Sequence, residues 1–88
     1  MHPEGRAIPI TSTGSIDSNR GTLRSFSVTA ASSPASLVLT DGQGGVELGR
    51  VTALANRSGQ RLFGVGVPYS RLYATISGTG ATGIAEVA

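Results

Sequence analysis

From residue 21 onward, apolar and polar residues alternate in short runs that are separated by turn-forming residues. In residues 21–30, Phe26, Val28 and Ala30 share one side of an extended chain, while serine and threonine residues take the other side. A period of two residues is typical of a strand with one buried face. We therefore predict a half-buried strand over residues 21–30.

Five further runs have strand character. They span residues 36–40, 46–54, 61–67, 69–77 and 84–87. We expect a bulge near Gly49, and a strand boundary at Pro68 because proline cannot donate a hydrogen bond to a central ladder. The break at residues 32–34 should produce a hairpin or a corner between sheets, and the turn at residues 78–80 is expected to close a hairpin. No segment has the 3.6-residue period of a helix.

Residues 1–20 lack this alternation. Pro3 and Pro9 disfavour a helix, and the stretch that follows them is rich in Ser, Thr, Gly and Asn. We predict an extended arm over residues 1–20, with room for one strand at residues 7–13, and a single β domain over residues 21–88. We hypothesise that the arm becomes ordered only against neighbouring molecules, for example by adding a strand to a neighbouring sheet.

The number and spacing of the runs predict the fold class. About six to eight short strands, with turns at intervals of roughly 8–12 residues, are typical of two packed sheets or a closed barrel. The predicted fold is therefore all-β, a compact antiparallel β-sandwich or barrel with an extended N-terminal arm.

The length of 88 residues is enough for one domain but leaves a small core. Small domains commonly gain stability from disulfides, a metal ion or oligomerisation. With no cysteine and one histidine, the chain cannot form a disulfide or supply the four ligands of a structural zinc site. Oligomerisation is the common remedy that remains.

Charge and hydropathy exclude two classes of partner. The formal net charge is +2, and the seven basic residues, all arginine, are scattered instead of forming the basic stripe of a nucleic-acid-binding protein. The first residues lack the basic and apolar regions of a signal peptide, and no run approaches the ~18 apolar residues of a membrane helix. We expect a soluble protein made in the cytoplasm, with no direct nucleic-acid or membrane partner.

Three short motifs resemble ligand sites but are better explained as turns. Gly78, Gly80 and Gly83 match the dinucleotide-binding fingerprint, yet the helix and returning strand that this motif requires do not follow. Residues 17–21 resemble the start of a calcium loop without its closing acidic ligand, so an Asx-turn is expected. Residues 56–58 form a glycosylation sequon, which has meaning only in a secreted eukaryotic protein, and are expected to be a turn.

No arrangement of residues predicts catalysis. His2 is the only histidine, and the predicted arm gives it no rigid element to orient it. Asp17, Asp41, Glu47 and Glu86 are scattered along the sequence. We predict a protein that is not an enzyme, with no catalytic, cofactor-binding or metal-binding residue and no cofactor.

One segment concentrates the aromatic residues. Residues 63–73 contain three of the four aromatic side chains, and arginine flanks them. One interpretation is packing in the core and at strand edges. The other is a protein contact patch, because tyrosine and arginine are enriched at protein interfaces. The candidate interface residues are Arg61, Phe63, Tyr69, Arg71 and Tyr73, and both interpretations can hold on opposite faces of the sheet.

Three segments of the chain together form a pattern that also occurs in a known group of proteins. These segments are the strand of small and β-branched residues at 25–31, the Asp-Gly turn at 41–42 with Gly-Gly-Val after it, and the closing strands GVPYSRLYATISGTGATGIAEV. In this pattern, over residues 21–88, the chain resembles small virion structural proteins of tailed bacteriophages, which include capsid decoration (cement) proteins. The resemblance implies a compact, often jelly-roll-like β domain.

The same resemblance implies a function and partners. Decoration proteins often form trimers on the capsid surface and bind the seams between coat subunits. We therefore expect a structural protein of the virion, located on the capsid surface, with the major capsid protein and further copies of itself as partners. Alternatives are a tail or fibre-associated virion protein, a carbohydrate-binding β module that stacks sugars on Tyr69 and Tyr73, and, as the weakest, a small enzyme.

Overall fold

The predicted alternation corresponds to paired strands in a computed structural model, which describes residues 6–88. The described residues form eight strands and no helix. The strands are β1 (Arg6–Ile10), β2 (Gly14–Asp17), β3 (Gly21–Thr29), β4 (Ala35–Thr40), β5 (Glu47–Ala53), β6 (Ser58–Tyr69), β7 (Leu72–Ser77) and β8 (Thr82–Val87). The prediction of an all-β chain is confirmed.

The strands form two four-stranded antiparallel sheets. The first sheet has the order β1-β8-β3-β6 and the second has the order β2-β7-β4-β5. Strand pairing is nested, because β1 pairs with β8, β2 with β7, β3 with β6 and β4 with β5. This nested order of eight strands in two sheets is jelly-roll-like, and the predicted antiparallel β-sandwich is confirmed.

The core lies between the sheets. Its largest fully buried side chains come from both sheets and are Phe26, Ile10, Leu23, Leu37, Leu39, Leu72, Val28 and Val87. Along β3, Phe26, Val28 and the following Ala30 are all buried, as the alternation predicted. The residues between them face outward, so one face of β3 supplies the core and the other forms surface.

The hairpin between β4 and β5 follows the turn chemistry of its sequence. The backbone N–H of Asp41 donates to the carbonyl of Val46, and Gly42 and Gly44 adopt positive φ angles that favour glycine. The register shifts so that Leu48 is the extra residue, because Leu39 pairs with Gly49 while Thr40 pairs with Glu47. The predicted bulge next to Gly49 is therefore confirmed.

Six of the seven connections between the described strands carry the chain from one sheet to the other, and two of them bear on predictions made from the sequence. Residues 30–34 lead from β3 to β4, which is the corner between sheets that the sequence allowed. The turn after β7 has a hydrogen bond from the Ala81 N–H to the Gly78 carbonyl, but β8 lies in the opposite sheet. The predicted hairpin at residues 78–80 is wrong, because β7 pairs with β2 and β4 and leaves no free side for β8.

The predicted N-terminal arm is corrected by the structure over residues 6–20. Strand β1 pairs with β8 in the first sheet, and β2 pairs with β7 in the second. Ile10 is fully buried in the core, and Ile8 packs against the core from the same side of the strand. Pro9 lies between them and is tolerated because β1 is an edge strand. Residues 1–5 of the predicted arm lie outside the described residues.

Strand β6 also extends beyond its predicted end. It continues through Pro68, which pairs with Thr22, and ends at Tyr69. The expected boundary at Pro68 is wrong for the same physical reason that applies to Pro9, since β6 is the other edge of the first sheet. This extension brings Tyr69 into the core.

Candidate interaction site

The five residues predicted as a contact patch do not form one surface. Tyr69 is buried, Arg61 and Phe63 lie together on β6, Arg71 lies in the turn after β6, and Tyr73 lies on the second sheet. The structure therefore divides them into groups with different roles.

Tyr69 belongs to a buried polar cluster that joins the two sheets. Its hydroxyl donates a 2.6 Å hydrogen bond to Oδ2 of Asp17, and Nη2 of Arg6 lies 2.9 Å from the same oxygen. Oδ1 of Asp17 accepts the backbone N–H of Asn19 at 3.0 Å, which is the predicted Asx-turn. The side chain of Asp17 is only 4% exposed, so these partners compensate the cost of burying its charge.

The cluster lowers the pKa of Asp17 and raises the pKa of Tyr69. Burial acts to raise the pKa of Asp17, but hydrogen bonds from the Tyr69 hydroxyl and the Asn19 N–H, together with the charge of Arg6, hold that pKa below its usual value of 3.8. Burial and the hydrogen bond to Asp17 raise the pKa of Tyr69 well above its usual value. Asp17 is therefore charged and Tyr69 neutral at neutral pH, which suits a structural link and not proton transfer.

The burial of Tyr69 bears on two predictions. A side chain that is 4% exposed cannot contact a partner or stack on a sugar ring. Tyr69 is therefore wrong as an interface residue, and the carbohydrate-binding alternative loses one of its two stacking platforms. The sequence could not reveal this, because Asp17 lies 52 residues before Tyr69.

Arg61 and Phe63 form a stacked group that closes the side of the sandwich next to β5. The ring of Phe63 stacks on the buried ring of Phe26 with centroids 6.1 Å apart, and the Arg61 guanidinium lies 5.4 Å from the Phe63 centroid. Gly49 of β5 makes room for both rings, since a Cβ there would lie 3.0 Å from Phe26 and 3.1 Å from Phe63. Phe63 is half-buried, so most of its role is packing.

Next to Phe63, β6 leaves the regular ladder. Leu62 pairs with Ser25 and Val67 pairs with Leu23, so residues 63–66 stand opposite Arg24 alone. We call residues 63–66 the β6 bulge. At its tip Val65 is 96% exposed, the most exposed of the large apolar side chains in the described part of the chain. Sequence alternation treated this stretch as ordinary strand, and only the glycine on each side of Val65 signalled a departure.

Arg71 and Tyr73 remain surface residues. Arg71 is exposed in the turn after β6, where its backbone N–H donates to Oδ1 of Asp41 at 3.1 Å. This hydrogen bond and that from the Ser70 N–H lower the pKa of Asp41, which is therefore a cap for the turn. Tyr73 is half-buried on the outer face of the second sheet, where it pairs with Ser15 and Thr40.

The outer face of the first sheet is nearly free of charge. Residues that pair directly across strands lie on the same face of the sheet. The pairing of the strands therefore defines three rows of residues that face outward. The rows are Leu62-Ser25-Glu86-Ala7, Gln60-Ser27-Ile84-Pro9 and Ser58-Thr29-Thr82. Glu86 is the one charged residue in these rows, and Leu62 and Ile84 are exposed apolar residues within them. Arg24, at the register shift of β3, adds a second exposed charge to the same face. We call this surface the first-sheet face.

The free edges of both sheets are interrupted. Pro9 lies in β1 and Pro68 in β6, while β2 has a register shift between Ser15 and Asp17 and β5 has the bulge at Leu48. Prolines and bulges at edges oppose pairing with a strand of another molecule. Contacts with partners are therefore better served by faces and protrusions of the sandwich than by strand addition.

Clefts lie at the two ends of the sandwich. One, of about 560 Å³, is an open groove that includes Arg20, Thr22, Asp41 and Ser70 in its lining. A second, of about 400 Å³, lies where β4 begins and β5 and β7 end, and its lining residues are Pro34, Ala35, Ser36, Thr52, Ala53, Leu54 and Ser77. We call the second cleft the alanine groove.

The described residues contain no group of three or more His, Cys, Asp or Glu side chains that could hold a metal ion. His2 lies outside them. Within residues 6–88 no helix is long and apolar enough to cross a membrane. Of the dinucleotide-like glycines, Gly78 and Gly80 lie in the turn between the sheets and Gly83 lies in β8. Residues 56–58 lie in the turn that begins β6, where Asn56 has a φ of 60°.

Comparison with known proteins adds no relative to these observations. No protein-family model matches the chain, no curated protein matches it, and no solved structure matches its fold at a significant level.

Proposed function

We propose that the protein is a non-enzymatic structural component of a bacteriophage particle, a capsid decoration protein that binds the coat through the first-sheet face. The observation that carries the proposal is the composition of this face. Its three rows contain one carboxylate, Glu86, among small polar residues and the exposed side chains of Leu62 and Ile84. Depletion of charge is what distinguishes the centre of a protein interface from other surface.

The shape of the face supports the same function. A four-stranded sheet with serine, threonine and alanine side chains presents few long side chains that would have to be immobilised on binding. Oγ of Ser25 lies 3.3 Å from Oε1 of Glu86, so this carboxylate is held within the face. Such a surface suits close contact with another protein. The recess on it, between Ser27, Gln60 and Ile84, has a volume of about 120 Å³, which is less than a small-molecule site usually has.

Many copies compensate for a small contact area. A capsid presents the same binding site at every symmetric position, and copies that are linked to one another gain avidity from neighbouring sites. The proposed partners are therefore the major capsid protein and further copies of the chain, and the expected assembly is a trimer. The protein is then located on the virion surface.

The test is attachment to bare heads of the phage that encodes the chain, measured by co-sedimentation. Ile84→Arg places a charge at the centre of the first-sheet face, and Thr75→Arg places the same charge on the exposed outer face of the second sheet. We expect Ile84→Arg to weaken attachment by at least about tenfold and Thr75→Arg to leave it unchanged, because a buried unpaired charge is costly.

Three results would overturn the proposal. They are the absence of wild-type attachment to heads, equal attachment of both variants, and attachment to purified tails instead of heads. The last result would instead support the tail-associated alternative.

A further inference from the structure

The β6 bulge presents an apolar side chain on a firmly held support. Val65 is 96% exposed at the tip, while Phe63 at one end of the bulge is stacked on Phe26. At the other end, Gly66 has a φ of +86°, and a Cβ there would lie 2.4 Å from Cγ2 of Thr22. Close packing at both ends holds Val65 outward, where it is not covered by any other part of the described chain.

The alanine groove has matching chemistry. Ala35 and Ala53 are almost fully buried beneath it, and Leu54, which is 69% exposed, lies at its side. Its volume of about 400 Å³ is more than one aliphatic side chain requires. The lining of the groove is thus mainly apolar, with hydroxyl groups from Ser36, Thr52 and Ser77, and its occupant is not supplied by the described residues of the same chain.

Val65 and the alanine groove lie too far apart to meet within one molecule. Thr29 pairs with Ser58 at the groove end of β3, whereas the β6 bulge stands opposite Arg24. Five residues along a strand correspond to about 17 Å. Both ends of β6 are paired with β3, so Val65 cannot fold back toward the groove of its own chain.

We propose that Val65 of one copy inserts into the alanine groove of the next copy. Both halves of the contact are present on one chain, they share apolar character, and the interrupted sheet edges oppose assembly by strand addition. Because Val65 and the alanine groove are different surfaces, the contact is heterologous and the copies associate head to tail. The copies close into a ring when the rotation from one copy to the next permits it. The first-sheet face is used by neither half, so this inference stands independently of capsid binding.

Cysteine cross-linking tests the contact directly, since the chain has no native cysteine. Val65→Cys and Leu54→Cys are prepared as separate proteins and mixed under mild oxidation. We expect a disulfide-linked heterodimer to form at least about tenfold faster than in a control mixture of Ile84→Cys with Leu54→Cys, because the contact raises the effective concentration of the two thiols. Self-linking of Val65→Cys at the same rate would indicate a symmetric contact and overturn the proposal.

A second variant measures assembly without cross-linking. Val65→Asp should reduce the native mass, measured by light scattering during gel filtration, to that of a monomer. Val46→Asp is the matched control, because Val46 is also exposed, at 75%, but lies outside the bulge and the groove. Unchanged melting temperatures would show that both variants fold. A wild-type protein that stays monomeric up to millimolar concentration and does not cross-link would overturn the proposal, and so would equal effects of the two variants.

Discussion

The hydroxyl of Tyr69 donates a 2.6 Å hydrogen bond to the buried carboxylate of Asp17 and so joins the end of β6 in the first sheet to the end of β2 in the second. Arg6 of β1 binds the same oxygen, so one carboxylate holds three strands. Such a hydrogen-bonded link specifies one arrangement of β1, β2 and β6, because hydrogen bonds are directional and apolar contacts are not.

Replacing Tyr69 with phenylalanine should destabilise the fold by about 2 kcal/mol, since a hydrogen bond to a charged partner is lost while the ring remains. The melting temperature should fall by about 10 °C for a domain of this size. Tyr73→Phe is the matched control, because Tyr73 is half-buried on the outer face of the second sheet. Urea unfolding that gives the same loss for both variants would show that the Asp17 link adds no stability.

The low pKa of Asp17 makes part of the stability dependent on pH. Its pKa in the folded state lies below the usual value of 3.8, so the stabilisation is fully present above that value and is lost as the pH falls through the folded pKa. The difference in unfolding free energy between wild type and Asp17→Asn should therefore narrow between about pH 5 and pH 2. Asp41 remains in both proteins, so the comparison isolates Asp17. A constant difference across this range would contradict the prediction.

Removing the ring of Phe63 should cost about 2 kcal/mol, which is less than the loss of a fully buried phenylalanine. The variant Phe63→Ala loses the stacking on Phe26 and the contact with Arg61. Leu62→Ala, at an exposed neighbouring position, should change stability by less than about 0.5 kcal/mol. Chemical denaturation measures the free energy of unfolding of both variants, and similar losses would mean that the stacked group does not stabilise the sandwich.

Gly78 should tolerate no side chain. Its φ is +113°, and a Cβ there would lie 2.7 Å from the carbonyl oxygen of Pro34 and 2.9 Å from Ala35. We expect Gly78→Ala to destabilise the protein by about 2 kcal/mol or more, through both strain and steric overlap. Gly14→Ala meets no atom within 4 Å and should be neutral or slightly stabilising. Equal melting temperatures for these variants would contradict the packing of this turn against the β3–β4 corner.

The sequence was sufficient for the elements whose burial follows a simple period. Phe26 and Val28 alternate with serine along β3, and this pattern alone predicted the strand and its buried face. Glycine and aspartate after Thr40 likewise indicated the hairpin, because turn chemistry is local. These features depend on neighbours within a few residues.

The errors all concern positions whose environment is set by distant residues. Pro68 was expected to interrupt a strand, but proline is tolerated at sheet edges, and alternation does not show which strands lie at an edge. Tyr69 was assigned to the surface because its partner Asp17 lies 52 residues away. Val65 was treated as strand because the register between β3 and β6, and not composition, creates the bulge.

The nested order of the strands has a consequence for biosynthesis. Residues of β1 pair only with β8, so Ile10 has no lasting partner strand until Gly83 has been translated. At ribosomal rates of about 5–20 residues per second, the first strand waits roughly 4–15 s while β4 and β5, separated by a short turn, are already free to pair. Closure of the first sheet therefore waits for the synthesis of β8, and a nascent chain that stalls before β8 exposes the apolar residues of β1 to chaperones and proteases.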